Sequence, residues 1–201
     1  MHGRDTFRAC AVAGDGVKST EVERINDMSG FWLFGYGSLI WRPDFPYLQK
    51  QVGTISGWSR KFWQGSHDHR GLPDAPGRVV TLVPEAGAHC GGMAFEVSGK
   101  HASGILSQLD FREKNGYERH QVDCWLNTGD TVNCLVYLAG ASNHAYLGDA
   151  PIEVIAEQIK VSQGPSGTNR DYLLSLASAL REHRLEDPHV FALEALVKKP
   201  A

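Results

Sequence analysis

The hydrophobic period of this chain changes once, and that change restricts its fold more than any other feature. From Phe31 to about residue 138 the apolar residues come in short runs or alternate, whereas beyond residue 150 they recur at helical spacing. The first run, FWLFGY, ends at Gly37 and has the pattern of a buried strand entering a tight turn. Further strands are predicted over 51–63, 78–84, 90–97, 117–127 and 131–138, the last with Val132, Cys134, Val136 and Leu138 on one face. Ala102, Ile105, Leu106 and Leu109 stand at i, i+3, i+4 and i+7, which predicts an amphipathic helix over 101–109. After Pro151 three more helices are predicted, on Ile152, Ile155, Ala156 and Ile159, on Leu173, Leu176 and Leu180, and on Leu193, Leu196 and Val197. The break GPSGTN (164–169) offers Thr168 or Asn169 as an N-cap. Strands mostly early and helices mostly late predict an α+β fold, a sheet or barrel carrying helices.

A length of 201 residues suits one domain, expected over 31–201. Residues 1–30 mix Gly, Ser, Thr, Arg and acids without apolar periodicity and read as a poorly ordered extension. Asp5, Asp15, Glu21, Glu23 and Asp27 argue against an organelle presequence there. A formal charge of -3 provides no positive field for nucleic acid or anionic lipid. No apolar run approaches the roughly 20 residues of a membrane-spanning helix. The cysteines Cys10, Cys90, Cys124 and Cys134 form no C-x-x-C pair, which fits a reducing, cytoplasmic setting. A small-molecule ligand is the expectation that remains.

Three segments can carry chemistry. In Gly35-Tyr36-Gly37-Ser38-Leu39, glycines after a buried strand let backbone N–H groups approach an anion, although the same pattern describes a plain tight strand exit. The stretch Asp110 to Tyr117 crowds charged and polar residues at a helix–strand junction. It reads either as a solvated helix end, with Asn115-Gly116 as left-handed cap, or as a site containing Glu113. The loop from Gln64 to Arg78 holds His67, Asp68 and His69, which favour a solvated or substrate-facing loop over a metal site because no second His/Cys cluster completes a ligand set. Arg70 and Arg78 are expected either to clamp a carboxylate or to make structural ion pairs.

FGYGSLIW (34–41), FWQGSHDHRG (62–71), PGRVVTLV (76–83), LDFREKNGY (109–117), YLGDAP (146–151), AEQI (156–159) and GPSGTN (164–169) together resemble the ChaC family of γ-glutamylcyclotransferases. The resemblance runs in order from Trp32 to Val197. It implies a mixed β-barrel with flanking helices and cleavage of glutathione to 5-oxoproline and cysteinylglycine, with no metal or organic cofactor. It also implies Glu113 as general acid/base and Leu33, Phe34, Gly35, Tyr36, Gly37, Ser38 and Leu39 as the substrate-binding segment, with Arg112, Tyr117 and Tyr137 as pocket residues. Asn115 departs from the Gly common in the family, a change that Asn tolerates in left-handed geometry. Two rival readings stay open: a cyclotransferase for other γ-glutamyl amino acids or amines, and a non-catalytic regulatory binding protein.

Overall fold

The structure is a computed structural model that describes residues 30–112 and 117–199. The expected N-terminal extension therefore falls, except for Gly30, outside the described residues.

The strands are β1 (Phe31–Gly35), β2 (Gln49–Ser66), β3 (Gly77–Val97), β4 (Glu118–Leu126) and β5 (Thr131–Leu138). They close into a barrel in the order β1-β3-β2-β4-β5. β1 lies antiparallel to the end of β3, with Leu33 opposite Phe95, and parallel to β5, with Leu33 opposite Leu135. Leu33, Phe34, Ile55, Phe62, Leu82, Met93 and Phe95 of these strands are all sealed from solvent, some inside the barrel and others beneath its outer layer, as with Phe62 against Tyr172 and His189.

The segments 78–84 and 90–97 form one continuous strand, not two. Of the intervening residues His89 stands opposite Ser56 of β2, the register then jumps to Pro84 opposite Trp58, and Pro84 to Gly87 are exposed. A two-stranded ribbon that projects into solvent needs no apolar alternation, so periodicity alone reads it as a gap. A register shift between Ser56 and Trp58 lies in the same ribbon.

Four α-helices among the described residues pack outside the barrel: α1 (Gly99–Arg112), α2 (Ile152–Val161), α3 (Asn169–Glu182) and α4 (Pro188–Lys198). Each buries the stripe read from its spacing, as with Leu106 and Leu109 of α1 and Leu173, Leu176 and Leu180 of α3. The GPSGTN break contains a minimal hairpin, β6 (Gln163–Gly164) and β7 (Gly167–Thr168). Thr168 is the N-cap of α3, its Oγ1 accepting from Asp171 N at 3.0 Å. Asn169 takes a different role. Fully buried, it accepts from Arg78 N at 2.6 Å and donates to Arg78 O at 2.7 Å, so its amide completes the β3 ladder. Among the described residues no helix is long and apolar enough to cross a membrane.

Candidate active site

β1 leaves the barrel through Tyr36 and Gly37 and turns at once into a 3-10 turn, Ser38–Ile40. Ile40 N donates to Gly37 O at 3.0 Å and Arg42 N to Ser38 O at 2.8 Å. This fold-back requires Gly35, because a Cβ there would lie 2.7 Å from the Cβ of Leu39.

Arg60 of β2 holds the turn. Its Nε donates to Tyr36 O at 2.7 Å, its Nη1 to Asp187 Oδ2 at 2.8 Å, and its Nη2 to Gly91 O. Asp187 also caps α4 by accepting from Val190 N at 3.0 Å. One buried guanidinium thus ties the turn to the barrel wall and to the helical layer, with its charge paired as burial demands. Sequence reasoning passed over Arg60. The available signal was parity, since Arg60, Phe62 and Gln64 alternate along β2 and all three are buried.

The turn borders a cavity of about 740 Å³. Leu33 to Leu39 form one wall and Gln64 to Arg70 another, while Gln108, Leu109, Tyr117 and Tyr137 approach from α1, β5 and the start of β4. Ser166 and Tyr172 reach it from the helical side. Such a volume is typical of small-molecule sites.

Tyr137 is buried, and its hydroxyl donates to Asp110 Oδ1 at 2.8 Å. Arg119 donates to the same carboxylate, Nε to Oδ1 at 2.9 Å and Nη2 to Oδ2, and lies 5.7 Å from the Tyr137 ring centroid. Burial, reinforced by the bond to Asp110, raises the phenol pKa, so Tyr137 stays protonated.

Arg70 reaches the cavity from the loop after β2. Ser66 Oγ accepts from Arg70 N at 2.9 Å, and Arg70 Nη1 donates to Thr168 O at 3.1 Å. Its guanidinium lies 5.7 Å from the Tyr172 ring centroid. The hairpin of β6 and β7 sits tightly on this loop, since a Cβ on Gly164 would lie 2.4 Å from His69 O. His67, Asp68 and His69 line the cavity as well. His69 Nδ1 bonds Ser166 Oγ at 3.0 Å and His67 Nδ1 bonds Pro73 O at 3.2 Å.

Arg78 corrects the expectation of a second carboxylate clamp. It does not line the cavity. Its Nε donates to Gln158 Oε1 at 2.6 Å, and its Nη1 donates to Phe62 O and Gly148 O, both at 3.0 Å. On β3 its side chain faces the helical layer, where main-chain carbonyls and Gln158 occupy its donors. Glu113, with Lys114, Asn115 and Gly116, lies outside the described residues, and Arg112 is the last residue of α1. Trp41, Phe45, Gln64, His144 and Tyr172 also line the cavity. Their chain positions are too scattered for any single motif to collect them.

Residues 31–200 match the ChaC-like protein family. The chain is 45% identical over 173 residues to the glutathione-specific γ-glutamylcyclotransferase 1 of Danio rerio, an alignment spanning 83% of this chain and 88% of that one. It is 37% identical to the glutathione-specific γ-glutamylcyclotransferase of Schizosaccharomyces pombe, over 89% of this chain and 97% of that one. Its fold superposes on the crystal structure of a yeast γ-glutamylcyclotransferase specific to glutathione with a TM-score of 0.80 and 30% identity, covering 84% of this chain and 96% of the other. With that family match spanning the barrel and its helices, the chain belongs to the ChaC-like family of γ-glutamylcyclotransferases.

Proposed function

We propose that this chain degrades glutathione by cyclising its γ-glutamyl group, releasing 5-oxoproline and cysteinylglycine, with Glu113 as general acid/base. One observation carries the reading. The Gly35–Leu39 turn and both chain flanks of Glu113, Gln108-Leu109 before it and Tyr117 after it, line the same cavity.

The chemistry follows from the substrate. Its α-amine loses a proton to the Glu113 carboxylate and attacks its own γ-carbonyl carbon, forming the ring C–N bond. As the tetrahedral intermediate collapses, the bond to the cysteinyl nitrogen breaks and the same carboxyl returns the proton to the departing amine. Nucleophile and electrophile share one molecule, so the protein acts chiefly by holding a ring-closing conformer; well-oriented systems reach effective molarities of about 10⁵ to 10⁸ M. The Tyr36–Ser38 segment binds the γ-glutamyl end, and its backbone N–H groups stabilise the developing oxyanion. Arg70 reads the glycyl carboxylate with a guanidinium fork. Tyr117 and Tyr137 form the wall beside them. The balance of atoms calls for no metal or redox cofactor. Glutathione persists as a thiol in a reducing cytoplasm, which is where this reading places the protein, and the buried free thiols Cys90, Cys124 and Cys134 are in keeping with it.

Purified protein is incubated with glutathione, γ-glutamyl-alanine and γ-glutamyl-lysine, and 5-oxoproline and the released amine are measured by mass spectrometry. Glutathione is expected to turn over fastest. Absence of product from all three overturns the enzyme reading, and preference for either other compound overturns the specificity. Glu113→Gln is expected to keep its circular dichroism and to lose about 10² to 10⁴ in kcat. Undiminished turnover would remove Glu113 from the chemistry.

A further inference from the structure

The peptide that joins Tyr36 to Gly37 has its two polar groups in different surroundings. Its carbonyl, Tyr36 O, accepts from Arg60 Nε at 2.7 Å. Arg60 is 3% exposed and does not line the cavity, and its other nitrogens are bound to Asp187 and Gly91 O. A trans peptide holds its C=O and N–H on opposite sides. Pinning the carbonyl against the barrel wall therefore turns the Gly37 N–H away from that wall. On the other side lies the cavity, which Tyr36, Gly37 and Ser38 all border. Gly37 is only half-buried, and no main-chain carbonyl among the described residues accepts from its N–H.

Local sterics do not fix that orientation. Turning the peptide over would carry Gly37 from its φ of -122° into the left-handed region, which glycine enters freely. The choice of face is thus left to a tertiary contact, and Arg60 supplies it. A reversed peptide would leave a buried guanidinium N–H unpaired and set the Gly37 N–H against a cation, so the preference is strong. We infer that Arg60 is a positioning residue for the reaction: by holding Tyr36 O it keeps the Gly37 N–H aimed into the cavity, as donor to the oxyanion that forms at the γ-carbonyl. This rests on the reading of the cavity as a glutathione site. A guanidinium on the carbonyl also polarises the peptide and strengthens its N–H as a donor. Such a donor acts most where charge develops, so its loss is read in kcat more than in KM.

Wild-type turnover of glutathione establishes the underlying reading independently; if it is absent, that reading fails before Arg60 is at issue. Arg60→Met combined with Asp187→Asn removes the guanidinium without stranding a buried carboxylate, and an Asn there can still cap α4. This double variant is expected to lower kcat for glutathione about 10²-fold with KM kept within about threefold. Asp187→Asn alone leaves the Arg60 bond to Tyr36 O in place and is expected to keep kcat and KM within about threefold of wild type. A raised KM with kcat unchanged in the double variant overturns the proposal. An equal loss of kcat in Asp187→Asn alone overturns it too, since Arg60 would then act only by tying the turn to the helices. A measurement on the wild type needs no variant that folds. The γ-carbonyl oxygen survives as the lactam oxygen of 5-oxoproline, so saturation with 5-oxoproline is expected to slow amide hydrogen exchange at Gly37 about tenfold, read by NMR. Unchanged exchange at Gly37 with that product bound overturns the proposal.

Discussion

Arg70 and Arg78 stand eight positions apart by number and share one motif-rich loop and strand, yet only Arg70 lines the cavity. Arg78 is buried, with Phe62 O, Gly148 O and Gln158 Oε1 on its guanidinium and Asn169 on its main chain. Arg70 lines the cavity, and the guanidinium bond recorded for it among the described residues is the one to Thr168 O. Burial lowers the pKa of both, and guanidinium stays charged regardless. Charge therefore does not separate them. Donor availability does: a fork already bound to carbonyls cannot also clamp a carboxylate, whereas one held at a single nitrogen can.

The largest effect is expected at Arg78. Arg78→Met leaves Phe62 O and Gly148 O buried without their donor, and a loss of roughly 4 kcal/mol in unfolding free energy is expected at about 1–3 kcal/mol per orphaned group. Urea denaturation measures it. The folded enzyme should keep its KM for glutathione within twofold. An unchanged stability with a raised KM would erase the contrast.

The second effect involves the main chain of Phe62 as well. Phe62 N donates to His189 Nε2 at 3.1 Å, so that nitrogen must stay unprotonated in the fold. Burial first and nearby Lys61 second push the His189 pKa down from 6.5 to about 4, Arg78 adding in the same direction while Asp187 and Asp149 oppose. The unfolded imidazole takes up its proton near pH 6.5, whereas the folded ring resists until about pH 4. The stabilisation is thus complete above pH 6.5 and declines by about 3 kcal/mol as pH falls to 4. Denaturation curves at pH 7.5 and 4.5 should show a steeper decline for the wild type than for His189→Gln. Parallel declines would assign the pH dependence to other groups.

The smallest effect in free energy, and the one that sharpens the contrast most, is at Arg70. Arg70→Met is expected to change unfolding free energy by less than about 1 kcal/mol while raising KM for glutathione about tenfold. Glutathione amidated at its glycyl carboxylate should lose a similar factor with wild type and nothing further with the variant. Discrimination that persists in Arg70→Met would place the carboxylate elsewhere.

The same division governs what could be read in advance. The stripe on α1 and the FGYGSL turn were legible, because each reflects local spacing within its own element; β5 was legible as a strand, but Leu135 and Tyr137 between its alternating residues are buried as well. The unbroken course of β3 was not, because its middle, Pro84 to Gly87, faces solvent and carries no apolar alternation. Nor was Arg60, whose partner Asp187 is 127 positions away.

The sequence by itself determined the α+β order, the turn after β1 and, through ordered motifs, the family, because periodicity and spacing are properties of neighbouring residues. Only the tertiary structure decided which polar groups have donors or acceptors to offer. Arg78 N is taken up by Asn169, 91 residues on, and Gln64 Nε2 by Asn143, 79 residues on. Hydrogen-bond saturation is settled across space between distant segments, and local sequence pattern carries no record of it.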